Sequence, residues 1–533
     1  RDDVESRGLG DVYKRQVVII RPERGRTARM DRELAEKLKA YKESLSPEEV
    51  QKLVDDTHEL EQYQEEESSP EDLAKIPVLK RTDISREIAP IYNDELEIGG
   101  VKLVHHNIET NGIGYVTMMF DLSGIREELL PYVGILQSVL GIIDTTNYEY
   151  GELFNEINIH TGGIGTSLEL YTDVTKVKEK EFRATFEMRG KALYPKMDVL
   201  FSMMREILME SRLDDEKRLK EILAMLKSRL LASFLSSGHT TAALRALSYT
   251  SPMSKFKDDT DGIGFYEAVK KIEEDFDGQK ETLIRNLKEI ARRIFRADNL
   301  MISYTSSEEG IEPMTKAFAA VKDSLYTGGE IPDEACILHC RKRNEGFKTS
   351  SKVQYVARVG NFIDGGQKYS GTLQILKVIL GYDYLWQNIR VKGGAYGCMS
   401  NFNRIGDAYL ISYRDPNLER TMEVYEGVVD YLKNFNVSDR DMNKFIIGTM
   451  SSLDRPMNPA AKGARSMNLY MNRVSEEMLR SERGQILDAQ QEDIRALADV
   501  VKAMLDQKLL CVIGSEEKIE EQRDMFLEVR TLS

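Results

Sequence analysis

The sequence predicts an α+β protein in which two similar domains, each an antiparallel sheet packed by helices, follow a helical hairpin. The order of strands and helices is the same in both predicted domains, which is typical of an internal duplication. A Gly-Gly pair returns 231 residues later, from Gly162 to Gly393. A strand followed by Ser-Glu-Glu returns at an offset of 208 residues, from Ser307 to Ser515. Two matched markers in the same order favour duplicated domains over a chance echo.

The N-terminal region divides into two parts. Residues 1–16 show no periodicity and end in a stretch that resembles translated sequencing-adapter read-through, so we predict a non-native segment. Residues 17–22 predict a short strand, because Val17 to Ile20 are apolar and β-branched and Pro22 ends the run. A strand needs a partner, so we expect this one to be the last strand of an upstream domain that is missing.

Residues 23–82 are predicted to form a helical hairpin linker. The first helix runs from Met30 to about Leu45. Ser46 then supplies an N-cap, a proline occupies the first helical position, and Glu49 completes a capping box for the second helix. The segment 69–72 (Ser-Pro-Glu-Asp) begins another helical turn with the same pattern.

The two duplicated domains are predicted at residues 83–325 and 351–533, with residues 326–350 as the linker between them. Period-2 alternation predicts the strands, and apolar residues at helical spacing predict the helices. In the first domain we predict strands at 101–105, 114–122, 182–188 and 300–304, and helices at 133–140, 196–208 and 214–247. In the second domain we predict strands at 353–359, 408–413 and 509–513, and helices at 371–380, 421–435 and after Ser438.

The composition excludes several classes of protein. Hydrophobic residues make up 41% of the 533 residues and charged residues 31%, and no apolar run reaches the roughly 20 residues of a membrane span. The net charge of -15 argues against a nucleic-acid ligand. Four cysteines provide no disulfide framework and fit a reducing compartment, the cytoplasm or an organelle matrix. Cys336, His339 and Cys340 lack a fourth ligand nearby, so we interpret them as a reduced linker segment.

The histidines form no motif for a catalytic metal ion. None of the six stands in a His-x-x-Glu-His or His-Glu-x-x-His pattern, in which two imidazoles at helical spacing grip zinc. The nearest pattern starts at His58 but ends in Gln62, and we interpret it as a solvated helix face. His105 and His106 are expected on opposite faces of a strand, where they cannot readily share one ion. No zinc ligand is predicted in this chain.

Three segments resemble a known family. They are Ile76 to Lys80 (IPVLK) after the acidic hairpin, Asn388 to Gly397 (NIRVKGGAYG) and Ser412 to Leu418 (SYRDPNL). Together they resemble the presequence protease branch, subfamily C, of the pitrilysin-type (M16) zinc metallopeptidases. The resemblance implies four homologous α+β domains in two halves, joined by a helical hairpin, that close around a chamber. This chain resembles the C-terminal half, so its duplicated domains would be the third and fourth pitrilysin-type domains.

The resemblance also implies site residues in the fourth domain. Arg390 and Tyr396, across the glycine-rich turn, would stabilise negative charge on the scissile carbonyl oxygen of the substrate, and Gly393 and Gly394 would help to bind the substrate. A guanidinium stays charged and presents a rigid fork, while a phenol adds a neutral donor. The residues alone leave a second interpretation open, in which a solvated arginine lies near a strand-end tyrosine and the glycines form an ordinary turn.

The first repeat lacks both of these groups. In register with Arg390 it has Asn158 or Ile159, and Ile164-Gly165 replaces the alanine and tyrosine that follow the second Gly-Gly pair. We therefore predict that the third domain is structural and that the fourth domain contacts the substrate.

We predict the C-terminal half of a zinc metalloendopeptidase that degrades short unstructured peptides in a closed chamber. By the resemblance, zinc is the cofactor and the missing N-terminal half binds it, so this chain alone is expected to be inactive. The expected partners are unstructured peptides and the zinc-binding half, in cis or in trans, with no nucleic acid and no membrane. Two alternatives stay open: a separate non-catalytic subunit of a two-chain zinc peptidase, and a peptide-binding module without hydrolytic activity.

Overall fold

A computed structural model of the protein describes residues 19, 21, 23, 25–66, 69–328 and 337–532. The chain separates into two compact units, the first ending at Val78 and the second beginning at Leu79. The predicted non-native segment 1–16 lies outside the described residues, and so does most of the predicted strand at 17–22. Those two assignments, and the predicted domain boundaries, stay predictions.

The first unit is helical. A capping box begins its second helix, as predicted. The Glu49 backbone N–H donates to Ser46 Oγ at 3.2 Å, and the Ser46 N–H donates to Glu49 Oε2 at 2.8 Å. Such reciprocal bonds satisfy backbone donors that have no partner inside the helix. The helices are α1 (Arg26–Ser44), α2 (Pro47–Glu65) and α3 (Pro70–Lys75).

The second unit contains two lobes that share one architecture. The first lobe comprises residues 79–328 and holds a six-stranded sheet in the order β1-β2-β6-β3-β5-β4, in which β2 and β6 are parallel and the other neighbours antiparallel. Its strands are β1 (Asp94–Ile98), β2 (Val101–Asn107), β3 (Ile113–Asp121), β4 (Ile164–Tyr171), β5 (Arg183–Leu193) and β6 (Leu300–Ser306). Its helices are α4 (Leu130–Val139), α5 (Tyr150–His160), α6 (Met197–Glu210), α7 (Glu216–Leu247), α8 (Pro252–Asp261), α9 (Ile263–Glu274), α10 (Phe276–Ile294) and α11 (Ile311–Lys322).

The second lobe comprises residues 337–532 and repeats the arrangement. Its sheet has the order β12-β7-β11-β8-β10-β9, with β7 parallel to both β11 and β12. Its strands are β7 (Glu345–Thr349), β8 (Tyr355–Asn361), β9 (Gly397–Phe402), β10 (Asp407–Tyr413), β11 (Leu509–Ser515) and β12 (Glu528–Thr531). Its helices are α12 (Thr372–Tyr382), α13 (Glu419–Lys433), α14 (Asp439–Leu453), α15 (Pro459–Met471), α16 (Glu476–Leu487), α17 (Gln491–Leu505) and α18 (Glu516–Glu521), with a π-helical turn at Trp386–Val391.

The two lobes confirm the predicted fold class and the duplication. Both repeat markers occupy equivalent places: each Gly-Gly pair lies just before the last strand of its sheet, and each Ser-Glu-Glu follows or ends the strand third in its sheet. Five strands were not predicted: β1, β4, β7, β9 and β12. Of these, β7 lies inside the stretch 326–350 that the sequence suggests as a linker.

Each sheet packs one face against helices of its own lobe. In the first lobe the ring of Phe295 contacts Phe120 and Phe186 edge-on, with centroids 5.3 and 5.2 Å apart, which is a favoured arrangement of aromatic pairs. In the second lobe α12, α13 and α17 bury apolar side chains such as Leu376 and Val501 against the sheet. Alternation of buried and exposed residues along the helices therefore follows from this one-sided packing.

The other face of each sheet is covered by a helix of the other lobe. The C-terminal part of α7 lies on the second sheet, where Gly238 touches the ring of Tyr355, and α7 bends at Ser237 just before this contact. Helix α15 lies on the first sheet, where Gly463 touches Thr305 and Met467 joins a small apolar cluster. This exchange of helices ties the lobes into one unit. Among the described residues, no helix is long and apolar enough to cross a membrane.

Candidate functional site

The Gly393-Gly394 turn is fixed by its own backbone. The N–H of Gly394 donates to the Arg390 carbonyl at 2.9 Å, and the N–H of Ala395 donates to the Ile389 carbonyl at 3.1 Å. Gly394 has a φ of 80°, which favours glycine. A side chain on Gly393 would overlap the carbonyl oxygen of Ile389. Both glycines are therefore required by the path of the chain between the π-helical turn and β9.

Arg390 and Tyr396 lie side by side across this turn. Arg390 Nη1 donates to the carbonyl of Tyr396, and its guanidinium lies 4.5 Å from the ring of Trp386. Tyr396 is anchored by its backbone, whose N–H donates to the Tyr413 carbonyl at 3.0 Å. Its side chain is 64% exposed, and no described residue bonds to its hydroxyl. The two side chains are thus held at the surface with donors still unused.

Arg414 is a further cation beside Tyr396. From the sequence, Arg414 and Asp415 are expected to form an ion pair that fixes a turn. Instead the Arg414 guanidinium lies 5.8 Å from the Tyr396 ring and 5.5 Å from the Tyr413 ring, in the range of cation–π contacts. Buried Asp415 accepts a hydrogen bond from the Thr421 hydroxyl at 2.7 Å. Arg414 adopts a φ of 48°, a strained conformation for a residue with a side chain.

The sequence missed two members of this cluster, Trp386 and Arg414. Trp386 gave no signal because a tryptophan at helical spacing is usually core. The cation–π contact of Arg414 depends on a backbone conformation that its neighbours impose, so no local pattern could reveal it. We call Trp386, Arg390, Tyr396 and Arg414 the second-lobe cluster.

The equivalent turn of the first lobe carries no such group. Gly163 has a φ of 107°, and the N–H of Gly162 donates to the Lys191 carbonyl at 2.8 Å. Asn158 donates to the Phe154 carbonyl of its own helix at 2.7 Å, and Ile159 is 69% exposed. The duplicated turn therefore keeps its backbone, whereas the positions of the arginine and the tyrosine hold other residues in the first lobe.

The two adjacent histidines of β2 bond to protein groups, whereas the buried Nδ1 of His239 has no hydrogen-bond partner among the described residues. His105 Nε2 lies 3.0 Å from Ser306 Oγ, and His106 Nδ1 donates to the Tyr92 carbonyl at 2.5 Å while its Nε2 lies 2.9 Å from Ser303 Oγ. Burial lowers the pKa of His106 to about 4.

Metal ligands do not assemble in the part of the chain that the structure describes. There, no three His, Cys, Asp or Glu side chains come together in an arrangement that could hold a metal ion. His339 Nδ1 lies 2.6 Å from Glu127 Oε2, and Cys340 is a free thiol. Cys336, the third member of the segment considered above, lies outside the described residues.

Two family models match the chain. The model of the domain associated with peptidase family M16, subfamily C, matches residues 20–272, and the model described as "PreP C-terminal domain" matches residues 344–516. The chain belongs to the presequence-protease-like subfamily C of the M16 peptidases. The predicted resemblance to the C-terminal half of such a peptidase is confirmed.

Relatives of known sequence agree with this assignment. The chain is 37% identical over 516 residues to a protein named HypA from Clostridium perfringens, covering 97% of this chain and 52% of that protein. It is 28% identical over 508 residues to presequence protease 1, chloroplastic/mitochondrial, from Arabidopsis thaliana, covering 94% and 46%. The chain therefore spans about half the length of the curated relatives it matches.

Solved structures show the same fold at low identity. A peptidase M16 inactive domain from Pseudomonas fluorescens matches with a TM-score of 0.53 and 13% identity, covering 80% of this chain and 98% of that one. A protease from Helicobacter pylori matches with a TM-score of 0.54 and 14% identity, covering 79% and 99%. These likenesses support the two-lobed architecture.

Proposed function

We propose that this chain is the substrate-contacting C-terminal half of a zinc metalloendopeptidase that degrades short unstructured peptides in a closed chamber. The observation that supports it most is the pairing of Arg390 and Tyr396 at one exposed turn, with the guanidinium stacked on Trp386. Membership in the presequence-protease-like subfamily of the M16 peptidases supports the reaction class.

Arg390 and Tyr396 would act on the oxygen of the scissile carbonyl. Peptide hydrolysis places negative charge on this oxygen, and fixed donors stabilise that charge without reorganising. One Arg390 nitrogen is already bonded to the Tyr396 carbonyl, and the guanidinium lies over the ring of Trp386. Arg390 is exposed, and its remaining N–H groups bond to no described residue. The Tyr396 hydroxyl adds a second donor that brings no charge of its own. Gly393 and Gly394 would let the substrate approach the backbone closely.

We assign zinc binding to the other half of the peptidase, in cis or in trans. The described residues of this chain do not fit a zinc site, because no three potential ligands converge. The contribution of this chain is then to bind and orient the peptide and to stabilise charge on its carbonyl oxygen.

The test uses a full-length enzyme that contains the zinc-binding half. We expect Arg390→Ala to lower kcat for an unstructured peptide about 100- to 1000-fold, the usual effect of removing an oxyanion donor, and Tyr396→Phe to lower it as well. The zinc content should stay unchanged in both variants. Arg420→Ala on α13 is the matched control, because Arg420 is exposed and pairs with no described residue. Near wild-type kcat in both site variants would contradict the assignment.

The single tryptophan of the chain gives a second measurement. Because the chain has one tryptophan and it lies under Arg390, its fluorescence reports on the second-lobe cluster. Adding an unstructured peptide to the isolated chain should change this fluorescence with a saturable dependence, and Arg390→Ala should weaken the response. Binding that leaves the fluorescence unchanged would place the peptide elsewhere.

A further inference from the structure

The first lobe contains a cavity of about 500 Å³ between its sheet and helix α15. This volume is in the range of pockets that hold small ligands. The floor is formed by strands β3, β4, β5 and β6, and the Gly162-Gly163 turn lies at its rim. That turn is the repeat of the Gly393-Gly394 turn in the second lobe. The cavity therefore opens beside the first-lobe counterpart of the proposed substrate site.

Small residues of α15 leave the space open. Ala460 and Ala464 face the cavity, and Gly463 lets the helix rest directly on Thr305. Larger side chains at the two alanines would fill the volume. The cavity is thus built by the sequence of α15 and the polar face of the sheet together.

A buried carboxylate fixes the floor. Glu187 is 1% exposed and accepts hydrogen bonds from the Tyr171 hydroxyl at 2.6 Å and the Thr185 hydroxyl at 3.1 Å. Arg189 Nη2 donates to Glu187 Oε2 at 2.7 Å and to Glu169 Oε1 at 2.8 Å. The oxygens of Glu187 are therefore occupied, and the guanidinium of Arg189 is held in one orientation.

Several donors in the cavity have no partner among the described residues. No described residue accepts a hydrogen bond from Lys191 Nζ, from Arg189 Nη1 or from the Tyr115 hydroxyl. Lys191 and Arg189 lie two residues apart on β5, so both side chains leave the same face of the sheet. Because an ammonium and a guanidinium can only donate, the complementary ligand group is an acceptor. Glu169 and Glu187 also line the cavity, but both pair with Arg189. Lys191 is therefore the lining cation without an acidic partner among the described residues, and it favours an anionic acceptor.

We propose that this cavity binds a carboxylate on an extended stretch of peptide, in a site separate from the second-lobe cluster. Strand β4 is the edge of its sheet, so a peptide can lie along it while an acidic side chain reaches Lys191 and Arg189. Gly165 of β4 has open space where a side chain would be, which leaves room beside Arg189. The inference rests on the proposed function in one respect, that the ligand is a peptide.

The test measures binding to the full chain by fluorescence anisotropy at low salt. The probe is a ten-residue unstructured peptide with an N-terminal fluorophore, an amidated C-terminus and a single Glu, compared with the same peptide carrying Gln. We expect the Glu peptide to bind about tenfold more tightly, as one charge-assisted hydrogen bond provides. Lys191→Met should abolish this difference and Lys191→Arg should keep it. Equal binding of the two peptides by the wild-type chain would overturn the proposal.

A matched pair of variants tests the location. Ala464→Trp should fill the cavity and weaken binding of the Glu peptide at least about tenfold, whereas Ala461→Trp, exposed on the same helix but outside the cavity lining, should not. Equal binding by these two variants would also overturn the proposal. Succinate provides a further comparison. If succinate displaces the probe completely and binds as tightly as the Glu peptide, a free carboxylate is the ligand and the peptide assignment is overturned.

The two proposals fail separately. Measured in the Arg390→Ala background, anisotropy reports the first-lobe cavity without the second-lobe cluster, so the Glu preference should persist there. Loss of the preference in that background would overturn the separate site. Unchanged turnover in Arg390→Ala, with the preference and the Ala464→Trp effect intact, would remove the proposed catalytic role and leave the first-lobe site standing.

Discussion

The two sheets have the same strand order, yet the helices exchanged between them meet different surfaces. The second sheet presents apolar residues to α7, among them Tyr355, Cys511 and Ile513, and these join the core of the first lobe. The first sheet presents Ser303 and Thr305 to α15, and a cavity of about 500 Å³ stays beneath the helix. Duplication thus kept the topology, and the residues on one face decided whether a core or a cavity formed.

The two Gly-Gly turns likewise share a backbone conformation and differ in their side chains. Both place glycine at a positive φ, 107° at Gly163 and 80° at Gly394. A guanidinium and an exposed phenol flank the second turn and an asparagine and an isoleucine the first. Backbone geometry was therefore inherited by both lobes, whereas the arginine and tyrosine of the second turn have no counterpart at the equivalent positions of the first.

The largest stability effect should come from the ion cluster that anchors α7 to the second lobe. Arg245 Nε donates to Glu345 Oε2 at 2.6 Å and its Nη1 donates to Asp258 Oδ2 at 2.6 Å, and both carboxylates are fully buried. Arg245→Met removes the cation that the two buried carboxylates share. It leaves Glu345 with Arg530 and the Tyr249 hydroxyl as partners. We therefore expect a loss of about 3–5 kcal/mol in the free energy of unfolding. Urea titration followed by circular dichroism measures it.

Arg229→Met is the control for that prediction. Arg229 is exposed on the same helix and should change the unfolding free energy by less than about 0.5 kcal/mol. A loss below about 1 kcal/mol in Arg245→Met would mean that apolar contacts alone hold α7 on the second sheet. The α7 and α15 interfaces would then differ only in how closely helix and sheet pack.

A smaller effect should be a pH dependence of stability that arises from a buried carboxyl group in the second lobe. Burial raises the pKa of Asp407 to about 6, and its carboxylate accepts a hydrogen bond from Asn361 Nδ2 at 2.9 Å. Between pH 4 and pH 6 the folded chain keeps a proton that the unfolded chain has lost, so stability falls as the pH rises through this window and is level above it. We expect Asp407→Asn to remove this slope and to gain on the order of 2 kcal/mol at pH 7.5.

Thermal melting from pH 4 to pH 8 checks this expectation. Asp499→Asn, on the exposed face of α17, should follow the wild-type pH profile. If Asp407→Asn shows the same slope as the wild type between pH 4 and pH 6, the buried carboxyl does not titrate there.

The smallest effects are expected from alanine substitutions at Gly238 and Gly463, the glycines at which α7 and α15 touch the sheet of the other lobe. An alanine at Gly238 would overlap the ring of Tyr355, which is buried and donates its hydroxyl hydrogen to the Leu235 carbonyl at 2.6 Å. An alanine at Gly463 would overlap the Thr305 hydroxyl and lie 2.9 Å from the Thr305 Cβ, so rotation of the threonine side chain alone does not relieve the overlap. Overpacking costs about 1–3 kcal/mol, and alanine returns about 1 kcal/mol of helix propensity.

We therefore expect Gly238→Ala and Gly463→Ala each to destabilise the protein by about 1–2 kcal/mol. Melting temperatures of the two variants, measured in parallel, test this expectation. A nearly neutral Gly463→Ala would show that α15 can shift on its sheet.

The sequence predicted the strongly periodic elements and missed the weak ones. Strands β3, β6, β8 and β11 were found because buried apolar residues mark them. Strands β1 and β12 were missed because they are short and lie at sheet edges, where β1 reads Asp-Glu-Leu-Glu-Ile and is mostly exposed. Strand β7 was missed because Glu345 is buried by an ion cluster whose partners lie about 100 residues away, which no local pattern reveals.

The candidate site divides in the same way. The pair Arg390 and Tyr396 followed from a motif resemblance, and the glycines between them from the turn that their spacing requires. The contact of Arg414 with the Tyr396 ring could not be predicted, because it depends on the backbone conformation of Arg414. The cavity beneath α15 could not be predicted, because it joins segments that are distant in sequence. Ala464 and Lys191, for example, are brought to one cavity by the exchange of helices.

By itself, the sequence determined the fold class, the duplication and the position of both glycine turns, because periodicity and glycine are local signals that survive without knowledge of the fold. Tertiary structure alone decided which helix covers which sheet and where a cavity remains. The physical reason is that packing depends on pairs of faces, and a face acquires its partner only when distant segments meet.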